Sequence, residues 1–377
     1  MKRRVRVGAA FQTWTPIWAL RLTMRMSRAL GADDYWFGDH TRHFFPPEAW
    51  NLKSNPMARV FPSCDAWLDP TVVIARYSRR RGGRMGVWVT DPVRRSAADL
   101  ARCWMSLHHL TGGKAVLGIG AGESTNYVPI GHSQKMMVSR LEDTIVAVRA
   151  AWASETTPLT HSGQFHEWND ALFLPSLKRT TPPIWVAAQG PRTCDIAGRL
   201  GDGWVFLYED LGRFQIARDR VIAGAHSVGK NPNDIERSIG IYGAVLSTRD
   251  RFVRACRSMF VRFGGLVQTG SQWSEIGANH PFGPEFSGPH DMRPEMFQGA
   301  ELHRALEAAT PEVLEALMPC GTAREVAEQL EPFVEQGVSH IIYGNLAAAT
   351  EWDIALDSLR EQVRLSRLLK SMSVRSI

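Results

Sequence analysis

The chain has 377 residues, 44% of them apolar and 22% charged, with a net charge of +6; it can bury a large core, which excludes a disordered or disulfide-framed polypeptide. No apolar run approaches the roughly 20 residues that cross a bilayer, and Met1-Lys2-Arg3-Arg4 leads into one short apolar strand and no secretory core, so a cytoplasmic location without membrane insertion is expected. Cys64, Cys103, Cys194, Cys256 and Cys320 are scattered without paired spacing, which points to reduced thiols and to no metal site.

Apolar strands and helix-length segments alternate along the chain, the signature of parallel pairing. Strands are predicted over 5–10, 35–38, 85–90, 115–119, 184–188, 203–207, 239–246 and 339–345. Pro16, Asp69-Pro70, Ser96 and Pro191 stand where helices should start, and Gly31, Gly112 and Gly337 where they should stop. Eight such units predict one α/β domain over 1–377, a (β/α)8 TIM barrel. That fold takes about 250 residues, so the excess is assigned to long connections at 41–68, 154–182 and 264–298. The basic residues are spread along helical segments, and only Arg79-Arg80-Arg81 forms a triple. As a solvated helix end, the triple gives no reason to expect a nucleic-acid partner, although the charge surplus suits an anionic cofactor.

Active sites of such barrels lie at the carboxyl ends of the strands. The residues just past the predicted strands are polar: Asp39 and His40, Thr90 and Asp91, Glu123 and Asn126, Gln189 and Gly190, and Asn345. His40 titrates near neutrality and can exchange a proton at a carbonyl or alcohol oxygen, with Asp39 fixing its tautomer; alternatively, Asp39 caps a turn and His40 is a satisfied loop histidine. The fourth strand dissolves into Gly118, Gly120 and Gly122 before Glu123. This run fits neither the dinucleotide fingerprint nor the phosphate loop. It suits a flat ligand lying on bare main chain, or a plain glycine-rich turn. A partly desolvated Glu123 would hold its proton to higher pH, unless it pairs with an arginine, and Asn126 can donate to and accept from a heterocycle. Gly190-Pro191 opens a helix whose free N–H groups could meet a phosphate, with Arg192 and Arg199 nearby, or could simply be a capped start.

Gly38-Asp39-His40, the run from Leu117 to Asn126, Ile184-Trp185-Val186-Ala187-Ala188-Gln189-Gly190-Pro191 and Gly198-Arg199-Leu200-Gly201-Asp202-Gly203-Trp204 resemble motifs of the luciferase-like flavin and deazaflavin oxidoreductases, in that family's order. The glycine run ending in Glu123 and Asn126 is similar to the branch that uses coenzyme F420. Tyr35-Trp36-Phe37-Gly38-Asp39-His40, Val89-Thr90-Asp91 with Arg94-Arg95, Trp185 to Ala188, and His280 to Gly288 resemble the phthiodiolone ketoreductases within it. The resemblance implies a deazaflavin ring against Gly120, Ala121 and Gly122, with Glu123 and Asn126 beside it and Asp39 and His40 across the pocket. It puts the phosphate-bearing tail near Ala188, Gln189 and Gly190. It also implies a bulge in the third strand with a non-prolyl cis bond at Trp88-Val89, although Trp88 is bulkier than the residue usual there.

Leu207-Tyr208-Glu209-Asp210 stands where the family's sugar-phosphate dehydrogenases hold a lysine, and its acids would repel a phosphate. Trp14, Trp18, Trp50, Phe61, Trp67 and Phe282 fall on or near the long connections, where they could line a site for an apolar substrate or fill core between loop and barrel. The expectation is hydride transfer between F420 and a carbonyl carbon of an apolar, lipid-like substrate. His40 would be the proton donor, Asp39 its orienter, Glu123 a further acid, and His280 a second polar contact. The alternatives are an FMN-dependent monooxygenase on the same barrel, an F420 carrier or sensor without catalysis, and a polyanion binder. Family members are often homodimers, and that state is expected here.

Overall fold

The computed structural model describes residues 3–52, 55–78, 82–154, 156–173, 180–294 and 297–374. The triple Arg79 to Arg81 lies outside them. Eight parallel strands close into a barrel: β1 Arg6–Phe11, β2 Asp34–Phe37, β3 Met85–Val87, β4 Ala115–Ile119, β5 Ile184–Ala187, β6 Gly203–Leu207, β7 Glu236–Val245 and β8 His340–Asn345. They pair in sequence order, with β7 closing on β6 and β8 on β1. The helices that return the chain are α1 Ile17–Ala29, α2 Pro70–Tyr77, α3 Ala97–Leu110, α4 Met137–Ala153, α5 Pro191–Leu200, α6 Leu211–Ser227, α7 Ala323–Glu335 and α8 Trp352–Ser371.

The predicted boundaries have local causes. The Asp69 carboxylate accepts from Thr71 N–H ahead of Pro70, and the Ser96 hydroxyl accepts from Asp99 N–H, each satisfying an orphan donor of a first turn. Gly31, Gly112 and Gly337 end α1, α3 and α7 with φ of +98°, +69° and +91°, conformations that other residues adopt only with strain. β3 is shorter than predicted. Its ladder stops at Val87, the Trp88–Val89 peptide is cis, and pairing resumes as a single bridge between Thr90 and Ile119.

Outward strand side chains pack on the helices as one continuous apolar core. Inside the barrel the side chains form layers. At the amino ends of the strands lies an ionic floor: Asp34 accepts from Arg6 and Arg84, and Arg84 also grips Glu236. Above it Trp36 and Trp185 meet at 4.7 Å among Val116, Val205 and Ile342. Gly8, Gly86 and Gly203 make room for these indoles, since a Cβ on any of them would fall within 2.7 Å of a tryptophan ring atom.

The long connections build a second core over the carboxyl rim. Residues of 41–68 and of the β7–α7 connection interleave Phe45, Trp50, Phe61, Phe263, Phe286, Met292 and Phe297 with Trp14. That connection runs from 246 to 322 and holds five α-helices among the described residues, so it extends well beyond 264–298; the helical patterning there belongs to the rim and not to the outer ring. The 154–182 stretch carries a hairpin, Leu159–Ser162 with Glu167–Ala171.

Candidate active site

The mouth of the barrel is organised by a buried charge clamp. Asp39, one residue beyond Gly38, accepts from Thr90 Oγ1 at 2.6 Å and from Arg95 Nε at 2.9 Å, while its carbonyl oxygen accepts from Arg94 Nη2 at 2.7 Å. Arg94 also donates to Asp91, and Arg95 to Asp69. Burial works against the Asp39 charge, yet Arg94, Arg95 and Thr90 hold its carboxyl below the ordinary range. The clamp ties the ends of β2 and β3 to the start of α2.

The expected Asp39–His40 pair does not form. All hydrogen bonds of the Asp39 carboxylate go to Thr90, Arg94 and Arg95, and His40 turns to the other side. The residue that orients it is Asn126. The main-chain N–H of Thr41 donates to Asn126 Oδ1 at 2.9 Å, which fixes the direction of the amide; its Nδ2 then donates to His40 Nδ1 at 2.9 Å and to Glu123 Oε2 at 3.1 Å. An Nδ1 that accepts leaves the imidazole proton on Nε2. That nitrogen has no hydrogen-bond partner among the described residues.

Burial and the nearby Arg94 guanidinium push the His40 imidazole down to about 4, so it is neutral at physiological pH. Burial and Asp91 push the Glu123 carboxyl up to about 8, so it keeps its proton there. Glu123 Oε2 lies 3.6 Å from His40 Nδ1, and 31% of the Glu123 side chain stays accessible. The site therefore presents a neutral N–H donor, a carboxylic acid behind it, and a path from that acid to solvent. The short helix Ser124–Tyr127 that carries Asn126 is buried and strapped from above: Ser124 Oγ donates to His290 O at 2.6 Å and Thr125 Oγ1 donates to Met292 O.

The glycines serve separate ends. A Cβ on Gly118 would lie 1.9 Å from the Val87 carbonyl, so that residue answers to the bulge of β3. Gly122 has φ +95° and turns the chain toward Glu123. Gly120 is buried, and a Cβ on it would lie 3.1 Å from Val89 and 3.3 Å from Ala187. Ala121 and Gly122 are partly exposed, while Trp88 lies deeper, stacked on Tyr242 at 5.4 Å in a notch left by Gly240.

At the end of β5, Ala188 O accepts from Trp204 Nε1 at 2.8 Å, and Gln189 Nε2 donates to Glu209. Gly190 caps α5 without a side-chain bond and is exposed, so the first N–H groups of the helix face outward, with Arg192 beside them. Arg199 is not there. It sits on the last turn of α5, paired with Glu142 and Asp195.

Other expected contacts divide. Trp67 lies 4.8 Å from the His40 ring, and its buried Nε1 has no hydrogen-bond partner among the described residues. Trp14 packs behind Trp67 in the rim core with Trp50 and Phe61. Phe282 stacks on Phe297 at 3.9 Å. His280 is committed to its own loop: its Nε2 faces the Leu266 carbonyl at 3.1 Å and its Nδ1 accepts from Phe282 N–H. No nitrogen is left for the second polar contact expected of it. Trp18 points outward on α1. Thr41, Gln12 and Tyr242 join the site without having been singled out. Gln12 follows β1 directly and faces the Tyr242 hydroxyl, so the same strand-end rule would have found it; Tyr242 follows from the alternation Ser238, Gly240, Tyr242 toward the barrel axis.

A closed parallel barrel with a neutral histidine and a protonated acid at its carboxyl mouth is the architecture of a (β/α)8 enzyme. The family model for luciferase-like monooxygenases matches residues 19–340, and the chain belongs to that family. A phthiodiolone/phenolphthiodiolone dimycocerosates ketoreductase of Mycobacterium kansasii is 30% identical over 88% of this chain and 91% of its own. Among solved structures, an F420-dependent secondary alcohol dehydrogenase bound to an F420-acetone adduct superposes with a TM-score of 0.73 at 18% identity, covering 97% of this chain and 99% of that one. A type II Baeyer-Villiger monooxygenase of Pseudomonas putida in complex with FMN superposes at 0.66 with 12% identity, covering 99% and 100%.

Proposed function

We propose that the protein is an F420-dependent oxidoreductase acting on the carbonyl or alcohol carbon of an apolar, lipid-like substrate, with Glu123, His40 and Asn126 as its proton-handling group. The observation that carries this reading is the Asn126 junction, which leaves His40 neutral with Nε2–H free beside a protonated Glu123. The names of the ketoreductase and alcohol dehydrogenase relatives support it.

Gly120, Ala121 and Gly122 would take a flat ring, and Gly190 with the uncapped start of α5 would take a phosphate. Bound F420 would supply or accept the hydride. In the direction of reduction, His40 Nε2–H donates to the carbonyl oxygen. As negative charge develops there, His40 passes this proton to the oxygen; Asn126 releases Nδ1, which then takes the proton of Glu123, and Glu123 reloads from solvent. The net transfer is one proton from Glu123 to the alcohol, with His40 neutral before and after. A neutral imidazole as electrophile is a known device, as in the handling of a carbonyl by triosephosphate isomerase. Asp39 acts through Arg94 and Arg95, by fixing the strand ends and holding in place the Arg94 guanidinium that disfavours the charged form of His40. Trp67 and the rim aromatics would meet the apolar chain.

The test is equilibrium binding of purified protein to F420 and to FMN. Tight F420 binding with weak FMN binding supports the reading. FMN binding with oxygen consumption would establish the monooxygenase alternative, and tight F420 binding with His40 and Glu123 replaceable at no loss would establish a carrier.

A further inference from the structure

Helix α1 carries two parallel rows on its outer side. Trp18, Leu22 and Met26, spaced by four, are 59%, 49% and 40% exposed, so they form one apolar ridge along the helix. Arg21, Arg25 and Arg28 form the adjacent row; all three are exposed, and none has an ion-pair partner among the described residues. The arginine row lines a cleft between α1 and the end of α2, whose wall includes Tyr35, Tyr77 and Met85. Neither α1 nor α2 contains an acidic residue.

We propose that this face of α1 docks on the surface of an anionic lipid bilayer, the ridge entering the interfacial region and the arginines meeting the headgroups. The pattern is that of an interfacial amphipathic helix: an aromatic and two aliphatic side chains on one flank, unpaired cations on the other. Charge decides against a second copy of this chain as the occupant. A twofold interface lays a patch on itself, and here that would bring arginine rows together with no acid in either helix to answer them. The placement also has a use. α1 leaves β1 at the mouth, three residues beyond Trp14, so a docked helix would hold the site near the membrane in which a lipid-like substrate dissolves. That use rests on the proposed substrate class; the docking does not.

The experiment is co-sedimentation of the full chain with vesicles of phosphatidylcholine alone and of phosphatidylcholine mixed equally with phosphatidylglycerol. Binding is expected to the mixed vesicles only and to weaken with salt. The triple variant R21Q/R25Q/R28Q should lower apparent affinity about 100-fold, from the contribution of each basic side chain near an anionic surface, and Trp18→Ser with Leu22→Ser should abolish sedimentation. F420 binding, measured on the same samples, should be unchanged in both variants, which shows that they are folded. Absence of wild-type sedimentation, or sedimentation untouched by the variants, would overturn the proposal. So would a dimer in light scattering that Trp18→Ser with Leu22→Ser splits without any lipid binding, which would make the face an interface between copies. Failure of wild-type F420 binding would instead strike the proposed function, and circular dichroism would then serve as the folding control for this test.

Discussion

The barrel holds two buried charge clusters, one at each end, and each contains a histidine that burial keeps neutral. At the floor, His340 has Ser238 Oγ on Nδ1 at 3.0 Å and Asp34 Oδ2 and the Trp36 indole on Nε2. Around it Asp34, Glu236, Arg6 and Arg84 satisfy one another. At the mouth, Asp39, Asp91, Arg94 and Arg95 satisfy one another in the same way, but His40 stands outside the clamp with one nitrogen bonded and the other free. Both clusters concentrate charge in a low-dielectric interior; only one leaves a donor unspent. A closed network fixes structure, and an open one can do chemistry.

The sharpest break of this contrast is His40→Ala. It should cut turnover about 10² to 10⁴-fold, the usual worth of a positioned acid or base, with F420 affinity unchanged; retained turnover would remove His40 from the mechanism. At the floor the corresponding lesion is structural. Arg84→Met strips Glu236 of its cation and leaves Asp34 with Arg6 and His340; it should cost about 3–5 kcal/mol in denaturant unfolding, and a loss below about 1 kcal/mol would mean that the floor pairs contribute little. Asn126→Leu should lower turnover about 10 to 100-fold, as loss of an orienting partner does, and the His40 ring nitrogens should lose their fixed tautomer in 15N NMR spectra. An Nε2–H signal surviving in that variant would assign the orientation to something else.

Glu123→Gln tests the sign of the burial argument. The folded carboxyl is raised from 4.5 to about 8, so folding is opposed as pH climbs between those values, where the unfolded chain ionises freely and the folded one does not. The amide has no charge to lose. It should therefore stabilise the protein by up to about 4 kcal/mol at pH 8 and by almost nothing at pH 4, from linkage; equal melting shifts at both would contradict a neutral Glu123.

The strand ends were legible because parallel barrel strands are short apolar runs punctuated by helix caps, and the row of polar residues after them follows from the fold. The partnership of His40 was not. Asp39 is its neighbour in sequence, but successive residues of an extended chain face opposite ways, so adjacency argued for the one pairing that the backbone forbids. Asn126 could be placed near a ring by its chemistry, yet its bond to His40 spans 86 positions and needs the barrel to exist. His280 failed for the opposite reason: its partners, Leu266 O and Phe282 N–H, are local main chain, which no side-chain pattern reveals. The glycines illustrate both limits, since Gly120 leaves room for Val89 and Ala187 side chains while Gly118 clears the Val87 carbonyl.

Most direct is a spectroscopic assay of reduced F420 against long-chain ketones as a function of pH. The account predicts reoxidation that holds steady through neutrality and declines as Glu123 loses its proton near pH 8, with the decline absent in Glu123→Gln. No reoxidation by any apolar ketone, or a rate that rises through pH 8, would contradict it.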